Sequence, residues 1–124
     1  GWHDQKIGQT KSLHVYFKKY VHRQDKLGRA VLLSEFGGYN YYCDEHSFGE
    51  TDFGYRRVKS IEALTEALRM LYGGQIRPAH GQGLAAAVYT QLSDVEDEVN
   101  GLISYDRKVV KIPPETVREI VSIE

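Results

Sequence analysis

Three stretches of the chain have the hydrophobic pattern of β-strands. In KSLHVYF (11–17) every second residue is apolar, a period of two that indicates a strand, although a short helix continuing through Tyr20 and Val21 also fits. AVLLS (30–34) is a continuous apolar run, as expected for a parallel strand covered on both faces. GLAAAVYTQL (83–92) allows a helix at its alanines, but the residues that follow them favour a strand.

Two further stretches have the spacing and the end signals of helices. SIEALTEALRMLYGG (60–74) repeats apolar residues at helical spacing, with Ser60 as the expected N-cap and Gly73-Gly74 as the expected end. PPETVREIVSI (113–123) opens with proline, which is common in a first helical turn. The predicted order is strand, strand, loop, helix, strand, loop, helix. This alternation indicates a parallel sheet of βα units.

Residues 37–59 form a long predicted loop between the second strand and the first helix. Loops of this length in compact domains are usually functional or disordered, and six aromatic residues argue against disorder. The aromatic residues are Tyr39, Tyr41, Tyr42, Phe48, Phe53 and Tyr55. Ligands of parallel βα sheets gather at the carboxyl ends of the strands. Glu35, at such an end and next to this loop, is therefore the first candidate site residue.

Composition limits the classes of partner and cofactor. The 124 residues have the length of one domain, and sixteen basic against seventeen acidic residues give a net charge of −1. We therefore expect neither a nucleic-acid nor a membrane partner, since no basic excess and no membrane-spanning apolar stretch is present. Cys43 is the only cysteine, which excludes an internal disulfide and leaves the compartment undetermined. Cys43 and His46 supply only two metal ligands, so we expect no metal and no cofactor.

The acidic stretch from Asp94 to Glu98 is a second candidate for cation binding. Its spacing does not match an EF-hand loop, which needs a glycine at a set offset among the carboxylates. We interpret it as a solvated turn, with binding of a hard cation or of sugar hydroxyls as the alternative.

Two motifs, LLSEFGGY (32–39) and VYTQLSDVEDEVNGLISYDRKVVK (88–111), resemble the C-terminal part of the catalytic domain of glycoside hydrolase family 2. This family comprises β-galactosidases, β-glucuronidases and β-mannosidases. The resemblance covers nearly the whole chain, and it implies an α/β fold that is part of a (β/α)8 TIM barrel, its last three strands with their helices. A complete barrel takes about 250 residues. Residues 1–124 are then a C-terminal fragment, whose open sheet edges would favour self-association.

The resemblance also implies roles for particular residues. Retaining glycosidases use two carboxylates about 5–5.5 Å apart, one as nucleophile and one as general acid/base. Glu35 matches the family nucleophile, while the acid belongs to an Asn-Glu pair that this sequence lacks. Tyr16 fits the position of a family tyrosine that hydrogen-bonds the nucleophile. His14 lies on the same face of the predicted strand as Tyr16 and is a candidate residue of the sugar site. Many relatives carry a tryptophan under the sugar ring around the last strand, and the corresponding stretch VYTQL has none. Tyr89 and Gln91 of this stretch are therefore the candidate sugar contacts.

The predicted activity is hydrolysis of O-glycosidic bonds in a β-glycoside or oligosaccharide through a covalent glycosyl-enzyme. Without the acid residue, the chain by itself is expected to be inactive. The alternative is a non-catalytic carbohydrate-binding fragment whose loop aromatics stack on sugar rings. A serine hydrolase is disfavoured, because Ser34 does not lie in a G-x-S-x-G motif.

Overall fold

The computed structural model describes residues 1–123. The strands are β1 (Thr10–Val15), β2 (Ala30–Gly37), β3 (Tyr39–Asn40), β4 (Arg56–Arg57) and β5 (Ala86–Thr90). The helices are α1 (Ile61–Leu71), α2 (Arg77–Gly81) and α3 (Pro114–Val121). A π-helical turn, Tyr72–Ile76, joins α1 to α2.

The main sheet has three strands in the order β1-β2-β5. Both pairs, β1 with β2 and β2 with β5, are parallel. The separate pair of β3 with β4 is also parallel and is only two residues long in each strand. The mixed α/β character and the parallel pairing therefore agree with the alternation of strand and helix patterns in the sequence.

The more specific prediction, a partial (β/α)8 TIM barrel, is wrong. The described residues form a small mixed α/β structure around one open sheet, and the main sheet has three strands in the order β1-β2-β5. A barrel requires eight tilted strands that close on one another, and three strands do not define that closure. Within residues 1–123, β1 and β5 each have one neighbouring strand, so both edges of the sheet lack a partner strand there. Self-association through these edges stays a prediction.

The helices cover one face of the main sheet. Val31, Leu33 and Phe36 of β2 lie in the same buried cluster as Leu64 and Leu68 of α1. Side chains alternate along a strand, so the residues between these positions lie on the opposite face, which we call the open face. It carries Ser12, His14, Ser34, Glu35 and Val88. The expectation that β2 is covered on both faces is therefore wrong.

Helix α1 begins as the sequence predicts and continues beyond its predicted end. The Ser60 side chain accepts a hydrogen bond from the backbone N–H of Ala63 at 3.1 Å, which confirms Ser60 as the N-cap. The chain does not leave the helical path at Gly73-Gly74 but passes through the π-helical turn into α2. Tyr72 and Ile76 are buried in the core, and this packing outweighs the preference of glycine for helix ends.

Candidate active site

Strand β2 holds one residue more than either neighbouring strand can pair with. Leu33 and Glu35 pair with consecutive residues of β1, so Ser34 has no partner in that strand. Leu33 and Phe36, which are three residues apart, pair with β5 residues that are only two apart. Such a β-bulge re-aims side chains locally. Ser34 contacts Ser12, and Glu35 contacts His14, which is the next residue of β1 on the same face. Two consecutive polar residues therefore lie on the open face of the sheet.

The Glu35 carboxylate is hydrogen-bonded on this face and still accessible. Tyr16 donates its phenolic proton to Glu35 Oε2 at 3.0 Å. The Thr90 hydroxyl lies 2.9 Å from the same phenol oxygen, and it supplies the proton of that contact because a phenol has only one. His14 Nδ1 lies 3.1 Å from Glu35 Oε2 without hydrogen-bond geometry. The Glu35 side chain is 43% exposed, which leaves room for a substrate.

The protonation of Tyr16 follows from its surroundings. Burial raises the pKa of the Tyr16 phenol well above its ordinary value, and the neighbouring Glu35 carboxylate raises it further. The phenol is therefore a proton donor throughout the physiological pH range. A hydrogen bond from a neutral donor holds the carboxylate in place without neutralising its charge.

Aromatic side chains pack on the two residues that contact the carboxylate. The Trp2 ring is 76% exposed and meets the His14 ring edge-on, with 5.0 Å between centroids. The Tyr55 ring packs against Tyr16 with a centroid distance of 5.3 Å. Aromatic faces beside a carboxylate suit a sugar ring, whose C–H groups pack on aromatic surfaces while its hydroxyls bind polar groups.

The two candidate contacts at the end of β5 lie in different surroundings. Gln91 Nε2 donates to Glu98 Oε2 at 3.3 Å and to Asn100 Oδ1 at 2.9 Å. The Tyr55 hydroxyl donates to the same Glu98 oxygen at 3.4 Å, which connects Gln91 to the wall of the site. Tyr89 instead packs in the core, with its ring 5.9 Å from that of Phe36, on the helix-covered face. The structure brings His14, Tyr16 and Glu35 together and places Tyr89 apart from them.

Thr90 was not singled out in the sequence, and Tyr55 and Glu98 were named only among the loop aromatics and in the acidic stretch, without a link to Glu35. Thr90 is the last residue of β5 and shares its face with Val88, so its position at a strand end was a usable indication. Tyr55 and Glu98 reach the site from two loops. Local sequence patterns do not predict such long-range contacts.

In the two candidate metal sites, the acidic stretch 94–98 and the pair Cys43 and His46, side chains bind other protein groups. Asp94 is fully buried and bonded to Lys111 Nζ at 2.8 Å, so a solvated turn is the wrong description for that residue. His46 Nδ1 lies 2.8 Å from Asp106 Oδ2, while burial raises the pKa of the nearby Cys43 thiol. Within residues 1–123, no three His, Cys, Asp or Glu side chains gather as metal ligands do.

No protein-family model and no curated protein matches this chain. The fold and the site together define a small α/β protein with a hydrogen-bonded carboxylate on the open face of a parallel sheet. Among the described residues, no helix has the length and apolar character needed to cross a bilayer. The resemblance to glycoside hydrolase family 2 stays a prediction from the two sequence motifs.

Proposed function

We propose that this chain carries the nucleophile of a retaining β-glycosidase of the glycoside hydrolase family 2 type. Glu35 is the nucleophile, and the general acid/base glutamate lies outside this chain. The observation that carries the proposal is the accessible Glu35 carboxylate, which accepts a hydrogen bond from Tyr16 at 3.0 Å. The substrate class is a β-glycoside or β-linked oligosaccharide.

The proposed reaction has two displacement steps at the anomeric carbon. In the first step a Glu35 oxygen bonds to that carbon, and the glycosidic C–O bond breaks with its electron pair leaving on the aglycone oxygen. The aglycone takes a proton from the acid residue outside the chain. In the second step a water oxygen attacks the same carbon, gives its proton to that residue, and releases Glu35 as a carboxylate. The Tyr16 hydrogen bond holds the attacking oxygen in line.

The absent acid sets the expected activity of the chain itself. General acid catalysis typically contributes about 10²–10⁴-fold to such a reaction. We therefore expect negligible hydrolysis of aryl β-glycosides by the 124-residue chain. Turnover that disappears on changing Glu35 to Gln would show this expectation to be wrong.

A trapped glycosyl-enzyme tests the proposal directly. Dinitrophenyl 2-deoxy-2-fluoro-β-glycosides carry a leaving group that needs little protonation, while the fluorine slows release of the covalent intermediate. Incubation with a longer protein that contains this chain, followed by peptide mass spectrometry, should place the sugar on the peptide with Glu35. Glu35→Gln should abolish the label. The matched control Glu66→Gln, at an exposed position of α1, should keep it. A label on another residue would remove Glu35 from the mechanism.

A second candidate function is carbohydrate binding without catalysis. It is favoured by aromatic side chains of the 37–59 loop that remain accessible, such as Phe53 at 66% and Phe48 at 54% exposure. Calorimetric titration of the chain with β-linked oligosaccharides should then give saturable binding that Phe53→Ala weakens and Glu35→Gln leaves unchanged. Absence of saturable binding would end this alternative.

A further inference from the structure

A cavity at the carboxyl ends of β1 and β2 is lined by side chains of the helix-covered face and lies away from the Glu35 carboxylate. Its volume is about 210 Å³. The floor is apolar and consists of core side chains: Val15, Leu33, Phe36, Leu71 and Ile76. An apolar floor of this size binds the body of a small molecule through the hydrophobic effect.

The rim of this cavity is cationic. Lys18, Lys19 and Arg56 line it, and all three are exposed. No Asp or Glu lines the cavity, and none of the three cations pairs with a carboxylate within residues 1–123. Three uncompensated positive charges beside an apolar surface attract an anion and raise its local concentration. The net charge of the chain is −1, so this positive patch is a local feature.

The π-helical turn supplies a neutral polar group to the same cavity. Gln75 lies within this turn, and its Oε1 accepts a hydrogen bond from the backbone N–H of Tyr20 at 2.6 Å. This bond fixes the amide at the wall of the cavity, and the NH2 group takes no part in it. Irregular helical turns of this kind often occur at functional sites, because the wider turn re-aims a side chain.

We propose that this cavity binds a small amphipathic carboxylate. The apolar body of the ligand lies against Val15 and the exposed Phe17 above this floor, and its carboxylate meets the cationic rim and the Gln75 amide. An apolar floor with an unpaired cationic rim is complementary to this class of molecule and to neither a neutral sugar nor a bare anion. The site lies on the opposite side of the sheet from Glu35, so it does not depend on the proposed glycosidase function.

Phenylacetate is a suitable probe, with phenylacetamide as its neutral counterpart and inorganic phosphate as an anion without an apolar body. In a heteronuclear NMR titration of the 124-residue chain at constant ionic strength, phenylacetate should give saturable shifts at the amides of Gly37, Gly38 and Gln75. The two comparison compounds should bind about tenfold more weakly or not at all. Equal binding of phenylacetamide would exclude the cationic rim as the determinant. Equal binding of phosphate would exclude the apolar floor. Absence of saturable shifts with phenylacetate would overturn the proposal.

Variants separate the charge contribution from the shape contribution. Replacing Lys18, Lys19 and Arg56 together by glutamine should weaken phenylacetate binding about tenfold or more, since one exposed ion pair contributes up to about fivefold. Lys26→Gln, a control at an exposed lysine outside the cavity, should leave binding unchanged. Val15→Leu fills part of the floor without changing charge and should also weaken binding. Unchanged binding in the triple variant, with its fold verified by circular dichroism, would contradict the proposal.

Discussion

At the scale of single residues, Gly38 determines where the Tyr55 wall of the candidate site lies. Gly38 has a φ of +67°, and a Cβ added there would come within 2.3 Å of Tyr55 Cδ1. The absence of a side chain therefore lets the Tyr55 ring approach the backbone and pack on Tyr16. Gly54 has a nearly equal φ of +69°, but a Cβ there would meet nothing within 4 Å.

This pair of glycines allows backbone strain to be separated from steric overlap. We expect Gly54→Ala to lower the free energy of unfolding by about 1–2 kcal/mol, the cost of a left-handed conformation for a residue with a Cβ. Gly38→Ala should cost about 1–3 kcal/mol more, because the Tyr55 ring must also move. Urea unfolding followed by tyrosine fluorescence measures both variants. Equal losses of unfolding free energy in the two variants would show that a Cβ at position 38 does not overlap the Tyr55 ring.

At the scale of elements, the segment between β5 and α3 is organised by one buried ion pair. Lys111 Nζ donates to Asp94 Oδ1 at 2.8 Å and to the backbone oxygens of Tyr41 and Val99, each at 2.9 Å. Asp94 Oδ1 also accepts the backbone N–H of Gly101 at 2.8 Å. Four stretches of irregular chain thus meet at one ammonium group. They include the segment that places Glu98 beside Gln91 and Tyr55.

Removing one partner of this pair should cost more than removing the charge of both. Lys111→Met leaves the Asp94 carboxylate buried without its cation, and we expect a loss of about 3–5 kcal/mol in the free energy of unfolding. Adding Asp94→Asn to Lys111→Met should recover about 1 kcal/mol or more, because the remaining group is neutral. Lys108→Met, at an exposed pair with Asp106, should cost under about 1 kcal/mol. Urea unfolding distinguishes these cases. A double variant no more stable than Lys111→Met would contradict the buried-charge explanation.

The regular elements were predictable where local pattern and packing agree. The run 30–34 and the helical spacing after Ser60 each require burial of one set of side chains, and the core buries those sets. The π-helical turn was not predictable, because Gly73-Gly74 favours a helix end locally and only the packing of Tyr72 and Ile76 reverses that preference. The predicted strand 83–92 shortens to Ala86–Thr90, since its first residues follow α2 as a turn.

The candidate site was predictable to the extent that it lies at strand ends. The alternation in 11–17 puts His14 and Tyr16 on one face, and the family resemblance gave them their roles. Glu35 was predictable as a residue at a strand end, but it reaches the same face only through the bulge in β2, which no sequence pattern indicated. Tyr55 and Glu98 come from loops whose paths depend on the Asp94–Lys111 pair, and no local pattern in the sequence indicates that pair.

At the scale of the whole molecule, a second set of charges ties the N-terminal segment to the sheet. Arg29 donates to both Asp4 oxygens at 2.9 and 2.7 Å and to Asp25 Oδ2 at 2.8 Å. The Arg29 and Asp25 side chains are almost fully buried. Hydrogen bonds from Arg29 hold the pKa of the Asp4 and Asp25 carboxyls well below their ordinary value of 3.8.

These lowered pKa values predict a loss of stability in acid. A carboxyl whose pKa is lower in the folded chain contributes stability above its ordinary pKa, and the contribution is lost as the pH falls through the lowered value. We therefore expect the free energy of unfolding to fall as the pH decreases below about 4. Arg29→Met should be less stable at neutral pH and should lose less over the same acid range. Urea unfolding between neutral pH and about pH 2 measures both. Parallel pH dependences would show that Arg29 does not set these pKa values.

A strand with a β-bulge can lose one residue at the bulge and keep its pairing on both sides. Without Ser34, the order Leu33, Glu35, Phe36 would alternate regularly, and the glutamate would still lie between two inward-facing neighbours. Deletion of Leu32 would instead move every side chain on one side of the deletion to the opposite face of the sheet. Length variation in β2 that keeps the glutamate in place is therefore confined to the bulge, and natural variants of this strand should differ in residue number there.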